Sequence, residues 1–275
     1  MPTHDVPGAV RLDDLTDRVP GQTLMAACLA EQAAAPPRGR LARVVGARVL
    51  TDAARSWYVG VVGERVTARL LEGLGPEHVV LHSIPVTDSG TDIDHLVVGP
   101  MGVVTVHTKH HRDARVWVGG DTVLVAGQRR PYVHAARSDR TRVLRALAAL
   151  TLPVAPVTSL VAVVHAARVQ VRRAPEDVRV VDARHLVRTL RRLPTVLGQD
   201  AVWALAGAVT STETWGVRPE GEPADVVARF AALGREVRVA RAARLAWAGA
   251  ECAGVAAGLV AVVAAVPGLV GALFS

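Results

Sequence analysis

Lysine is nearly absent from this chain: of its 32 basic residues 31 are arginine, and the single lysine is Lys109. A compact, deprotonatable ammonium cannot be replaced by a planar guanidinium where chemistry needs a point charge, so one retained lysine marks its surroundings for inspection. Cysteine is scarce as well. Cys28 and Cys252 are far apart and match no metal-ligand spacing, which excludes a disulfide framework and a cysteine-based metal site and fits a reducing compartment. Aromatic residues make up 3% of the chain, so its core must be built from β-branched and small residues. The two tyrosines and five tryptophans are scattered, which excludes an aromatic platform for sequence-specific reading of single strands. The opening MPTHDVPGAVRLDDL has acids and proline where a secretory signal needs a basic start and an apolar run, so no export is expected and the cytoplasm is the expected location.

What is present is a globular chain of 275 residues, 50% hydrophobic, with a net charge of +7 that calls for an anionic partner, nucleic acid or an acidic membrane surface. The last 24 residues, 252–275, carry no charge and follow Arg235, Arg238, Arg241 and Arg244. Such a stretch is long enough to cross a bilayer, with the basic flank holding the main domain on the cytoplasmic face, although four glycines and Pro267 weaken it. The alternative is an apolar helical hairpin packed on the protein or on a partner chain.

Periodicity divides the rest. Residues 1–46 read as a peripheral segment with a short helix near Leu24 to Ala35 that ends at Pro36 and Pro37, and little chemistry is expected there. Thr51 and Asp52 offer an N-cap for a helix to about Leu74. The pattern then becomes strand-like in HVVLHSIPV, DIDHLVVG and GVVTVHTK, with turns at 88–90 and 99–102. Two shorter strands, ARVWVG and TVLVAG, flank a hairpin turn at Gly119, Gly120 and Asp121. A helix over 135–150, buried strands in VTSLVAVVHA and VRVVDA, and helices over 184–193 and 199–210 complete an α/β unit. The expected organisation is a peripheral segment at 1–46, the main domain at 47–216, a linker at 217–223, and a helix with the apolar tail at 224–275.

Side chains two apart in a strand share a face, so Asp92 pairs with Asp94, and His107 with Lys109 on the neighbouring strand. The turn between these strands brings carboxylates, an imidazole and an amine together. Adjacent carboxylates repel, and a hard divalent cation relieves that cost, so Mg2+ or Mn2+ is the expected cofactor. Lys109 would then orient a water or stabilise charge on a phosphate. An acid inside an apolar strand, as Asp94 is, needs a partner. Asp92 can equally cap its turn, Glu64 can be a solvated helix charge, and His95, His110 and His111 read as structural.

Three segments carry a family resemblance: VVGERVTARLLEGL (61–74), TDIDHLVVGPMGVVTVHTKHH (91–111) and RRPYVHAARSDRTRVLRAL (129–147). With them the chain resembles nuclease-related domain proteins, a branch of the PD-(D/E)XK nuclease-like fold, over residues 47 to 215. The resemblance implies an α/β core of the restriction-endonuclease type, a helix, a mixed central sheet and flanking helices, here with a helical and apolar C-terminal extension. It also implies Glu64 as the first-helix acid, Asp94 as a metal-binding aspartate, position 107 as the second metal ligand and Lys109 as the catalytic lysine. The motif has an acid at 107, whereas this chain has His107. An imidazole there removes a negative charge and shifts preference from Mg2+ toward Mn2+ or Zn2+.

Arginine supplies the electrostatic half: six lie in 129–145 and eight in 168–192. Arg129, Arg130, Arg137, Arg184 and Arg188 are the expected contacts to phosphates, with binding that weakens steeply in salt. The expectation is metal-dependent hydrolysis of phosphodiesters in nucleic acid, DNA above RNA, weakened or lost to the extent that His107 fails as a ligand. The alternative is a non-catalytic nucleic-acid-binding or scaffolding module, membrane-tethered or not. A third reading turns the basic patch toward lipid headgroups.

Overall fold

The computed structural model describes residues 14–86, 91–150, 152, 155–216 and 223–273, the last segment without the side chains of 223, 254 and 258–273. The expected turn at 88–90 and most of the linker at 217–223 lie outside these residues. In chain order the elements are α1 (Gln22–Ala33), α2 (Arg40–Val44), α3 (Asp52–Leu71), β1 (Val79–Pro85), β2 (Asp92–Gly99), β3 (Gly102–His110), β4 (Arg115–Gly119), β5 (Thr122–Val125) and β6 (Gln128–Arg130). They continue with α4 (Tyr132–Ala148), β7 (Val157–Val164), β8 (Arg168–Arg173), β9 (Val178–Asp182), α5 (Leu186–Leu190), α6 (Gln199–Thr210) and α7 (Pro223–Leu273).

Two mixed sheets flanked by helices form an α/β core. The larger has the order β1-β2-β3-β7-β9; its first three strands are antiparallel neighbours, while β7 and β9 run parallel to β3. The smaller has the order β6-β5-β4-β8, with β8 parallel to β4. α4 is the crossover that lets β7 return parallel to β3. The strands β3 and β7 are buried on both faces and read as near-continuous valine runs, as such a central position demands. Leu96, Val98, Val143 and Val202 belong to one core cluster, whereas Val104, Leu160, Leu71 and Leu186 belong to another.

Local signals explain most boundaries. Thr51 Oγ1 accepts the Ala54 N–H at 3.0 Å and starts α3 as expected. The β2–β3 hairpin turns at Pro100 and Met101, and Gly102 takes φ +95°; a Cβ there would stand 2.5 Å from the Pro156 carbonyl oxygen. Gly102→Ala is therefore expected to destabilise the fold by about 2 kcal/mol or more, the left-handed strain plus the clash, read as a lower urea midpoint. Two readings need correction. The expected helix over 184–193 is a short 3-10 turn followed by α5, which ends at Leu190. The run Arg168–Arg173, read only as an arginine cluster, is the strand β8, because parallel pairing with β4 satisfies its backbone despite exposed side chains.

By contacts the chain forms two compact units, Met1–Cys28 with Ser56–Val227, and Leu29–Arg55 with Ala228–Ser275. The first holds both sheets. In the second, Gly46 takes φ +68° where its backbone meets Ala240, and Trp247 Nε1 donates to the Val44 carbonyl at 3.1 Å. Among the described residues no helix is long and apolar enough to cross a membrane. The expected span at 252–275 lies for the most part outside the described side chains. Cys28 and Cys252 form no disulfide.

Candidate functional site

The site begins where the β1–β2–β3 ladder breaks. β1 pairs with β2 at His82↔His95 and again at Ile84↔Ile93, leaving Ser83 and Asp94 unpaired, and the β2–β3 ladder stops at His95↔Val106. Ser83 takes φ +48°, and the two-residue alternation is lost: Leu81 and Ile84, three apart, share a core cluster, as do Leu96 and Ile93. Released from the ladder, the Asp94 carboxylate takes the Thr108 N–H at 2.6 Å. It is 8% exposed, so this charge-assisted bond fixes it against β3.

His107 and Lys109 project together from β3 toward α4. His107 Nδ1 lies 3.7 Å from Asp94 Oδ2 and 3.3 Å from Asp139 Oδ2, yet it makes a hydrogen bond to neither and is buried without a partner. Asp139, 5% exposed on α4, is held by Arg142 at 2.9 Å. Sequence reasoning missed it. A signal was present, since Asp139 sits three residues after Ala136 and four before Val143, on the buried stripe of α4. Lys109 Nζ rests 5.6 Å from the ring centroid of Tyr132, whose hydroxyl is 2.6 Å from His111 Nε2.

Glu64 approaches from α3. That helix lies close over β3: a Cβ at Gly63 would come within 2.9 Å of His110 Cβ, and Thr67 bonds Thr108 through their hydroxyls at 3.0 Å. Glu64 is 2% exposed and its Oε2 has no partner. Burial, then the charges of Asp94 and Asp92, push its carboxyl well above the usual range, against the pull of Lys109 and the Gly21 N–H. Asp92 turns toward the N-terminal segment. Burial and the Asp94 charge raise its carboxyl to about 7, opposed by a hydrogen bond from Thr23 and by the Arg18 charge.

Part of the segment read as peripheral, 1–46, nevertheless packs against the site. Arg18 is 9% exposed and donates to the Ser83 carbonyl and to Thr23, while Gln22 N donates to Ser83 Oγ at 3.0 Å. This segment stabilises the irregular Ser83 backbone and lines the acidic end of the site. No local pattern in the sequence marks it, because its partners are some 60 residues away.

The remaining residues sort by partner. His95 is fully buried with its Nδ1 2.8 Å from His82 Nδ1; burial holds His95 down at about 3 and His82 at about 4, so both stay neutral. His110 meets His165 at 2.9 Å. Arg129 and Arg130 are exposed on β6. Arg137 is held between Asp121 and Asp177, with bonds of 2.9 and 2.8 Å. Arg184 pairs with Asp182 through two bonds, and Arg188 lies on α5.

Among the described residues no three histidine, cysteine or acid side chains converge into a ready metal cage. The donors nevertheless suit a hard or borderline ion. Groups bound to one ion at about 2.1 Å stand roughly 3 to 4 Å apart, as His107 Nδ1 does from each carboxylate oxygen. Mg2+ and Mn2+ sites of this kind use one or two carboxylates and complete their shell with water and phosphate oxygens. His107 Nδ1, Glu64 Oε2 and Asp92 Oδ2 are buried without a hydrogen-bond partner.

No curated protein and no solved structure matches the chain. A family model does, from the middle of α3 to the end of β7, so it takes in Glu64, Asp94, His107, Lys109 and Asp139 and leaves out Arg18, Arg184 and Arg188. Over residues 59–164 the sequence matches the model of the nuclease-related domain.

Proposed function

We propose that this chain hydrolyses phosphodiester bonds of nucleic acid, DNA in the first place, with a divalent ion held by Asp94, Asp139 and His107. The observation that carries this reading is Asp139: α4 returns a buried carboxylate to 3.3 Å from His107, so the acid missing at position 107 is supplied from another element. When bound, the ion polarises the phosphoryl oxygen and makes its water more acidic. The Thr108 N–H keeps Asp94 oriented, and Arg142 does the same for Asp139. Lys109 stabilises charge on the transferred phosphate, with Tyr132 fixing its ammonium. Burial and its acidic neighbours raise the Glu64 carboxyl above its ordinary range, so it supports the site from α3. Arg129, Arg130 and Arg188 supply the phosphate contacts, whereas Arg137 is committed to Asp121 and Asp177 and Arg184 to Asp182.

The full chain should nick supercoiled plasmid with Mn2+, more slowly with Mg2+, and stop in chelator. Asp94→Asn and Asp139→Asn should each cost about 10²-fold or more, as removal of a ligand does. Absence of cleavage with either ion, or full activity in the Asp139→Asn variant, overturns the assignment. A binding module without catalysis would then remain.

A further inference from the structure

A second concave site lies at the far edge of the same sheet. It has a volume of about 410 Å3, formed by β8, β9 and the start of α5. Its inner wall is valine, with Val180 6% exposed and Val171 44% exposed. Its rim carries Arg168, Arg188 and Arg192, which make no ion pair among the described residues. The one acid there, Asp182, is closed off: two bonds from the Arg184 side chain and one from the Arg184 N–H take up its carboxylate. Three guanidinium groups therefore remain without a counter-charge over an apolar wall, in a volume of ligand size. That combination asks for a phosphate joined to a flat or apolar body.

Strand register ties this pocket to the acid site. Lys109 pairs with Val163, and Val163 pairs with Asp182. All three strands run parallel, so the pocket opens at the same sheet end as Lys109, two strand spacings or about 10 Å away. That separation is roughly three phosphates along one strand at its axial rise.

We infer that this pocket binds one nucleotide of a nucleic-acid strand engaged at the acid site, its phosphate on Arg168, Arg188 and Arg192 and its nucleoside against the valine wall. The occupant's chemistry is a nucleoside monophosphate, supplied either by a strand or by a free nucleotide. The role beside the acid site rests on the function proposed above; the binding itself does not. The pocket would set where a strand lies, and hence which phosphate reaches Lys109.

Binding of a fluorescent single-stranded oligodeoxynucleotide to the full chain, followed by anisotropy in chelator, tests the pocket without any cleavage. Arg188→Ala and Arg168→Ala should each weaken binding about tenfold and lower the salt slope by about one phosphate. Arg145→Ala removes the same charge from the exposed face of α4 and should leave affinity within about twofold. Thymidine monophosphate should displace the oligonucleotide from the natural chain at lower concentration than inorganic phosphate does. An equal loss in all three variants would assign the binding to bulk charge and overturn the pocket. Equal competition by phosphate and nucleotide would overturn the nucleoside part. Displacement by the free nucleotide with no change of oligonucleotide binding in Arg188→Ala or Arg168→Ala would overturn the strand as source. Cleavage failing while these binding differences hold would sink the hydrolase reading and leave the pocket standing.

Discussion

Lys109→Ala is expected to lower Mn2+-dependent nicking of plasmid by about 10²- to 10³-fold, the usual loss when one preorganised charge facing a transition state is removed. Lys109 lies next to the end of β3 and over Tyr132, so truncation leaves a partly exposed surface and little change in stability. Lys109→Arg should restore little, because a guanidinium is larger, planar and never deprotonated. His107→Glu is the companion measurement. It restores the motif acid beside Asp94 and Asp139, and the three carboxylates should shift preference toward Mg2+. A rise in the Mg2+ to Mn2+ activity ratio supports His107 as a ligand; an unchanged ratio says the imidazole never touched the ion. Undiminished activity in Lys109→Ala removes Lys109 from the chemistry.

Asp92→Asn is expected to stabilise the folded chain at pH 8 by up to about 4 kcal/mol in chelator, since a carboxyl at about 7 instead of 3.8 carries that much penalty once ionised. The sign follows from proton binding. The folded state holds the Asp92 proton more tightly than the unfolded state does, so its stability is greatest below about 4 and is lost as pH rises through about 7. The gain from Asn should vanish below pH 4. The attraction of Arg18 and the Thr23 bond are already contained in that value. His82 and His95 act in the opposite direction, because neutral buried imidazoles held at about 4 and 3 cost stability as pH falls below 6.5. Urea unfolding of both chains at pH 4 and pH 8 isolates the Asp92 part; an equal difference at the two pH values rules out its titration as the source.

These two residues also show how far local pattern reaches. The lysine was legible from composition, and the alternation in TDIDHLVV and GVVTVHTK placed Asp94, His107 and Lys109 on neighbouring strands. Alternation alone does not describe Asp92 and Asp94, because the ladder break at Ser83 turns one toward Thr23 and the other toward Thr108. A break of that kind depends on Arg18 and Gln22, which hold Ser83 from a distant segment. Similarly, β8 is too polar and exposed to show a buried face, and only its pairing with β4 makes it a strand.

The sequence by itself determined most of the strand and helix order, the basic character and the placement of Asp94, His107 and Lys109 on neighbouring strands, because those follow from short-range periodicity, charge and the properties of single side chains. The tertiary structure alone decided which second acid meets His107, what lines the acidic end, and that Arg168 and Arg188 border one pocket. Each of those depends on contacts between elements far apart in the chain, which are set by how the crossover α4 and the parallel strands pack; local pattern marks Asp139 as buried but does not say what it meets.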